Sequence, residues 1–335
     1  MQAHGYDRCA PCSGAWVVVT LVVSRWRAGA VACALAGVVA CVPTQECVDV
    51  TACSDAAWPQ WLSDIAIDPE GAEDPWGMGL AYDVAHPLWT GAGTKRRVLR
   101  LPQGTPIDVS LADRWQLPVG TIAMKTIFDG ERPLETRVIR VDGDDTQYEV
   151  YAWAADGGDA ERLQLDAPTI IDGRHEVPSR LQCRQCHESA TSVLLGIDVL
   201  QLGDAGALDE LAARGVLSQT ITGPRPTAAH ADPTAARVLG WLAGNCVHCH
   251  NGGATENASF DLRPGVAFAN LVDRPTASSA SAAGTRVVPG DPDASVLYVA
   301  VVGSAAGVGA MPPVGVPLPD AALDDLRAWI EGLPR

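Results

Sequence analysis

Asn245-Cys246-Val247-His248-Cys249-His250-Asn251 and an earlier echo, Cys183-Arg184-Gln185-Cys186-His187, decide how the rest of this 335-residue chain is read. Both contain C-x-x-C-H. On one helical turn that spacing brings two thiols to the two vinyl groups of a porphyrin, where they become thioethers. The histidine that follows turns an imidazole onto the iron. With 10 Cys and 7 His in the chain, chance supplies about 0.01 copies of the pattern, so two copies are a strong signal. A zinc site built from the two C-x-x-C pairs is the other use of these cysteines. It leaves both trailing histidines without a role and does not suit an exported chain. The expected cofactor is two covalently attached haem c groups, held by Cys183, Cys186, Cys246 and Cys249, with His187 and His250 as proximal ligands.

Upstream, residues 1–24 make a poor leader: Cys9 and Cys12 form C-x-x-C with no histidine after it, and Ala15 to Val23 is short for a membrane span. Arg25-Trp26-Arg27 reads as a basic n-region and Ala28 to Ala40 as an apolar h-region. The stretch ends in Val38-Val39-Ala40-Cys41, a lipobox-like sequence. Residues 1–40 are therefore expected to be a signal or lipoprotein leader, with a lipid anchor at Cys41 if the lipobox is used. A plain secretory signal and an uncleaved anchor helix are the alternatives. All three place the folded part in the periplasm or at the cell surface. Residues 41–57 form a short N-terminal segment in which Cys47 and Cys53 are an obvious disulfide pair for an oxidising compartment.

From Trp58 to Ile171 apolar residues alternate with polar ones, in Arg97–Leu101, Thr121–Ile127, Thr136–Val141 and Tyr148–Trp153. Turn clusters separate these runs, among them Pro118-Val119-Gly120, Asp129-Gly130 and Asp142-Gly143-Asp144-Asp145. The pattern predicts an antiparallel β domain over residues 58–222 that ends in the first C-x-x-C-H, with Trp115 and Trp153 in its core. Ala205–Arg214 reads as one short helix, and residues 223–231 as a linker around Gly223-Pro224-Arg225-Pro226. In 232–335 the pattern is mainly helical. Asp232-Pro233 supplies a cap and a first-turn proline for a helix running into the second motif. Leu323, Leu326, Ile330 and Leu333 step by three and four through a terminal helix. The predicted class is α+β. His248, inside the second motif, is expected to face solvent or neighbouring backbone.

The C-terminal block, with C-x-x-C-H, Pro289-Gly290-Asp291-Pro292, Ser295, Met311-Pro312-Pro313 and a terminal helix carrying Trp329-Ile330, resembles a class I cytochrome c. That resemblance implies a soft thioether, Met311, opposite His250. Residues 41–335 as a whole resemble a family of exported bacterial cytochrome c proteins, through Pro118-Val119-Gly120-Thr121, Lys125-Thr126, Glu135-Thr136-Arg137, Tyr151-Ala152-Trp153 and Val177-Pro178-Ser179. This second likeness implies no particular reaction. The β domain with Gly120-Thr121-Ile122-Ala123-Met124-Lys125 ahead of C-x-x-C-H also resembles the small β-sheet cytochromes whose haem is cross-linked to a lysine, some of which oxidise hydroxylamine at a five-coordinate iron. That likeness implies Lys125 close to the first haem; otherwise Lys125 is an exposed strand residue. No methionine follows the first motif at a class I distance. His86, His175, His230, Met78 and Met124 are the candidates for its sixth ligand.

Three readings follow. The chain is an electron carrier with two haems, one of them ligated by His250 and Met311. Or it is a haem enzyme or gas-binding protein with open iron at the first site, of hydroxylamine-oxidising or peroxidase type. Or it is a surface lipoprotein whose β domain binds a partner. A net charge of −16 argues against nucleic acid and suits a redox partner with a basic docking face. G-x-S-x-G, H-E-x-x-H and phosphate-binding glycine loops are absent from the sequence, which leaves no hydrolase constellation. Electron transfer is the preferred reading.

Overall fold

Alternation along the middle of the chain produces a sheet with two dry faces, and that sheet positions everything else. The computed structural model describes residues 58–65, 67, 79–91, 93–111, 114–143, 145–253, 260–276, 284–303 and 309–335. All lie in one compact unit, Cys47–Arg335. The leader, Cys41, the Cys47–Cys53 pair, Met78 and most of the small-residue loop at 278–284 fall outside the described residues.

Six strands follow one another as antiparallel neighbours: β1 (Leu80–Ala81), β2 (Thr94–Arg100), β3 (Ile122–Asp129), β4 (Arg132–Arg140), β5 (Gln147–Trp153) and β6 (Ala160–Arg162). The β3–β4 hairpin closes opposite Asp129↔Arg132 with Gly130 at φ 62°, a left-handed position that favours glycine. Alternation divides the side chains cleanly. Val98, Ile122, Met124, Val138 and Tyr151 pack on one face with Trp58, Leu62 and Ile65. Leu99, Ala123, Ile139 and Tyr148 pack on the other, against helices downstream. A two-stranded ribbon, β7 (Thr169–Ile171) with β8 (His175–Val177), leads out of the sheet.

Next come α1 (Arg180–His187), α2 (Val199–Asp204) and α3 (Leu208–Ala213). The short helix expected over Ala205–Arg214 forms as α3, starting later because Gly206 sits at φ 75°, outside helical geometry; α2, ahead of it, lies outside that expectation. Asp198 caps α2 through Gln201 N, and Leu202, Leu208 and Leu211 carry both helices into the core under the sheet. Burial, not helix length, holds these short pieces in place.

The remaining helices are α4 (Pro233–Asn245), α5 (Ala267–Leu271), α6 (Val296–Val302) and α7 (Asp320–Glu331). Asp232 caps α4 by accepting from Thr234 N and Ala235 N, with Pro233 in the first turn. A second core gathers Val238, Leu239 and Leu242 of α4 with Leu326, Trp329 and Ile330 of α7. The molecule is therefore α+β, with the sheet first and the helices after it.

One segment, 82–90, fastens the second core to the first. His86 N donates to Gln201 Oε1 at 2.8 Å, Trp89 N to Asn245 Oδ1 at 2.7 Å and Trp89 Nε1 to Pro317 O at 3.0 Å. Helix α4 can lie this close only because Gly240 and Gly244 lack side chains. A Cβ at Gly244 would meet the His86 carbonyl oxygen at 2.6 Å, and one at Gly240 would meet the His86 ring at 2.8 Å. Gly244→Ala is expected to destabilise the fold by about 2 kcal/mol through overpacking against backbone, despite alanine's better helix propensity. Gly240→Ala, opposed by a side chain that can turn, should cost less. Urea unfolding of both variants checks the order; equal midpoints would contradict it.

Candidate cofactor site

Helix α1 is built to present, not to pack. Its N-terminus is a capping box: Ser179 Oγ accepts from Gln182 N, and Gln182 Oε1 accepts from Ser179 N at 2.9 Å. Arg180 ties it to the sheet through Glu149 Oε1 at 2.7 Å. Yet no residue of α1 is buried, and Leu181 is exposed. Eight residues without a buried face make a marginal helix. What they offer is one side with Cys183, Cys186 and His187, turned toward a cavity of about 140 Å³.

The sheet forms the opposite wall. Arg97 on β2 pairs with Lys125 on β3, which pairs with Arg137 on β4. Three cations thus stand in a row on one face, continuing the apolar half made by Leu99, Ala123 and Ile139, and all three line the cavity. Like charges directly opposite destabilise a sheet. Glu135, two residues before Arg137 on the same face, offsets one of them, accepting from Arg137 Nε at 2.9 Å and bonding His175 Nε2 at 2.9 Å. Burial works against the Glu135 carboxylate, but Arg137 and His175 outweigh it and hold the pKa below its ordinary value. Lys125 has no hydrogen bond or ion pair among the described residues, and burial with Arg137 and Arg97 beside it lowers its pKa to about 7. Lys95, on the same face, is lowered to about 8 by burial and by the same arginines.

His187 is prepared as a ligand. Its Nδ1 lies 2.6 Å from the Val193 carbonyl, an acceptor only, so Nδ1 carries the proton and Nε2 keeps its lone pair. Burial pushes the ring's pKa down to about 3, keeping it neutral at physiological pH. Tyr148 packs against it at 5.4 Å between ring centroids.

The second motif follows α4 directly. Cys249 N and His250 N both donate to Cys246 O, extending the helix by a tight turn. His250 packs at a tilt against Phe260, 4.5 Å between ring centroids, and the Arg286 guanidinium lies over that phenyl ring, 4.2 Å from its centroid. His250 Nδ1 is buried with no hydrogen-bond partner among the described residues. A small cavity of about 30 Å³ between α4, α6 and α7 reaches Cys246. Met311 is half-exposed, its backbone N donating to Ala300 O. The next residue, Pro312, lines the first cavity together with Val314 and Val316.

The two motifs touch. Asn251 Nδ2 donates to Ser189 O at 2.9 Å and to His248 O at 3.2 Å, so one amide pins both loops. His248 therefore lines the cavity of the first motif. This corrects the expectation that it faces solvent or its own backbone. Tertiary contact between the loops places it, and nothing local to C-V-H-C-H announces that contact. Lys125 stands on the wall that Cys183, Cys186 and His187 share, not on an exposed strand face.

His86, His175 and His230, expected candidates for a sixth ligand, do not line this cavity. His86 bonds Asp204 at 3.0 Å, His175 bonds Glu135, and His230 accepts from Asp232 N. The Met124 side chain belongs to the core on the opposite face of the sheet. All four motif cysteines are free thiols. Among the described residues no three His, Cys, Asp or Glu side chains gather into one group.

The residues around the first motif fit a covalently held haem. Paired free thiols, a neutral tautomer-fixed His187, a helix lacking packing of its own and a partly apolar cavity beside it are what such a group needs. No family model, curated protein or solved structure matches the chain.

Because Lys125 has a lower pKa folded than unfolded, the folded state binds fewer protons between about pH 7 and 10.5. Its cost to stability is complete below pH 7 and fades as pH rises toward 10.5. Lys125→Met should therefore stabilise the protein most at pH 6, and the difference from wild type should shrink by pH 9.5. Urea midpoints at both pH values test this; a pH-independent difference would contradict the assignment.

Proposed function

We propose that this chain is an exported dihaem c-type cytochrome that transfers single electrons, its C-terminal part built like a class I cytochrome c. The observation that carries the reading is the pinning of two C-x-x-C-H loops to each other by Asn251. Cys183 with Cys186, and Cys246 with Cys249, would hold the two groups; His187 and His250 would be proximal ligands, and Met311 the distal ligand opposite His250. Bound in this way, haem supplies reversible one-electron chemistry. The chain supplies a neutral His187, cations on one wall, and a second core in which α4 runs into the motif and packs on α7.

Attachment through thioethers belongs to an oxidising compartment, so we place the folded part in the periplasm or at the cell surface, anchored by lipid at Cys41. Among the described residues no helix is long and apolar enough to cross a membrane. The partner is a redox protein with a basic docking face, which the net charge of −16 favours. A catalytic or gas-binding first site is the second reading, and the position of Lys125 beside Cys183, Cys186 and His187 favours it.

Two experiments test the main reading. Cys183→Ser with Cys186→Ser should remove one of two haems, read by intact mass and a pyridine-haemochrome count; loss of none would mean the first motif is empty. Met311→Ala should leave both haems attached and lower the potential of one centre, because a thioether favours the ferrous state. An unchanged redox titration would remove Met311 from the ligand set.

A further inference from the structure

Each haem of an electron carrier is usually held on both faces, and the first motif has no methionine to provide the second contact. The inference here rests on the dihaem reading and deepens it. Three observations converge on a residue of the other motif. His248 lines the cavity that also holds Cys183, Cys186 and His187. Its backbone is fixed there, since Asn251 Nδ2 donates to His248 O and to Ser189 O, two residues beyond His187. Neither ring nitrogen of His248 has a hydrogen-bond partner among the described residues, and His86, His175 and His230 do not line this cavity.

We propose that His248, carried on the attachment loop of the second haem, is the sixth ligand of the first haem. Imidazole is a common axial ligand and needs only a free ring nitrogen. Lys125 shares the cavity but stands in a row of cations, Arg97 and Arg137 beside it, on neighbouring strands. His248 is short and its main chain is clamped. A ligand on a fixed backbone loses less conformational entropy on binding. The arrangement also makes coordination at the first site depend on attachment at the second, because Cys246, Cys249 and His248 share one turn.

The test uses dithionite-reduced, haem-loaded protein under carbon monoxide, with haem counted by mass in each sample. Wild type should take up no gas. His248→Ala should keep two haems and bind about one equivalent per chain, and added imidazole should restore the six-coordinate low-spin spectrum and exclude the gas. His248→Gln serves as a second variant of similar size, with the same expected result. Wild type that already binds one equivalent overturns the assignment, as does a dihaem His248→Ala protein that binds none. Opening of the site by Lys125→Ala and not by His248→Ala overturns it in favour of the lysine. A chain that never carries haem at Cys183 and Cys186 brings down the dihaem reading, and this assignment with it. A dihaem chain indifferent to His248 brings down the assignment alone.

Discussion

A single side-chain amide joins the two halves of the site. Asn251 reaches back 62 residues to Ser189 while holding the carbonyl of His248 in its own loop. A bond between two parts of a chain so distant in sequence forms only when both ends are already placed, so the contact reports the agreement of two cores. The sheet and α2–α3 fix the end of α1; α4, α6 and α7 fix the loop after Asn245. The segment 82–90 ties these cores together, with Trp89 bonded at one edge to Asn245 and at the other to Pro317. Gly240 and Gly244 provide the close approach on which that segment depends. The site thus depends on both cores, Cys183 packing against the first and Cys246 against the second.

Much of the architecture was legible beforehand, for identifiable reasons. Strands β2 to β5 alternate because each has two chemically different faces, and the turn clusters between them are ones only a few residue types build. Asp232-Pro233 and the Leu323, Leu326, Ile330 stepping mark α4 and α7 by local chemistry. The short pieces were not legible: β6, β7 and β8 have three residues each, too few for periodicity to register. Helix α2 was not expected, and the start of α3 at Leu208, not Ala205, turned on the conformation of Gly206. A glycine inside an apolar run is compatible with a continuous helix, and only the backbone angle decides.

The site was half legible. C-x-x-C-H names its own thiols and proximal histidines, because covalent attachment demands a fixed spacing. The wall facing them could not be named the same way. Arg97, Lys125 and Arg137 lie on three different strands, and their alignment is a matter of register: a slip of one residue on β3 would turn Lys125 to the opposite core. His248 carries even less signal, since its neighbours across the cavity lie some sixty positions earlier. Resemblance to the lysine-linked β-sheet cytochromes pointed at Lys125; nothing pointed at His248.

The charge distribution gives the cavity its character. A chain of net charge −16 has every reason to place its few cations outside, where solvent screens them and they relieve self-repulsion. Here Arg97, Lys125 and Arg137 line the cavity together with Glu149 and Glu176, and burial, helped by the neighbouring arginines, lowers the affinity of Lys95 and Lys125 for protons. Self-repulsion of this kind is relieved by negative groups that share the cavity, as Glu149 and Glu176 do. Positive potential in a poorly solvated pocket favours the more electron-rich state of whatever is bound there. Burial, with a smaller contribution from Lys125, holds the pKa values of His187 and His248 down. An inward cationic face opposed by neutral imidazoles suits a group that accepts and releases electrons while the protein around it keeps its protons in place.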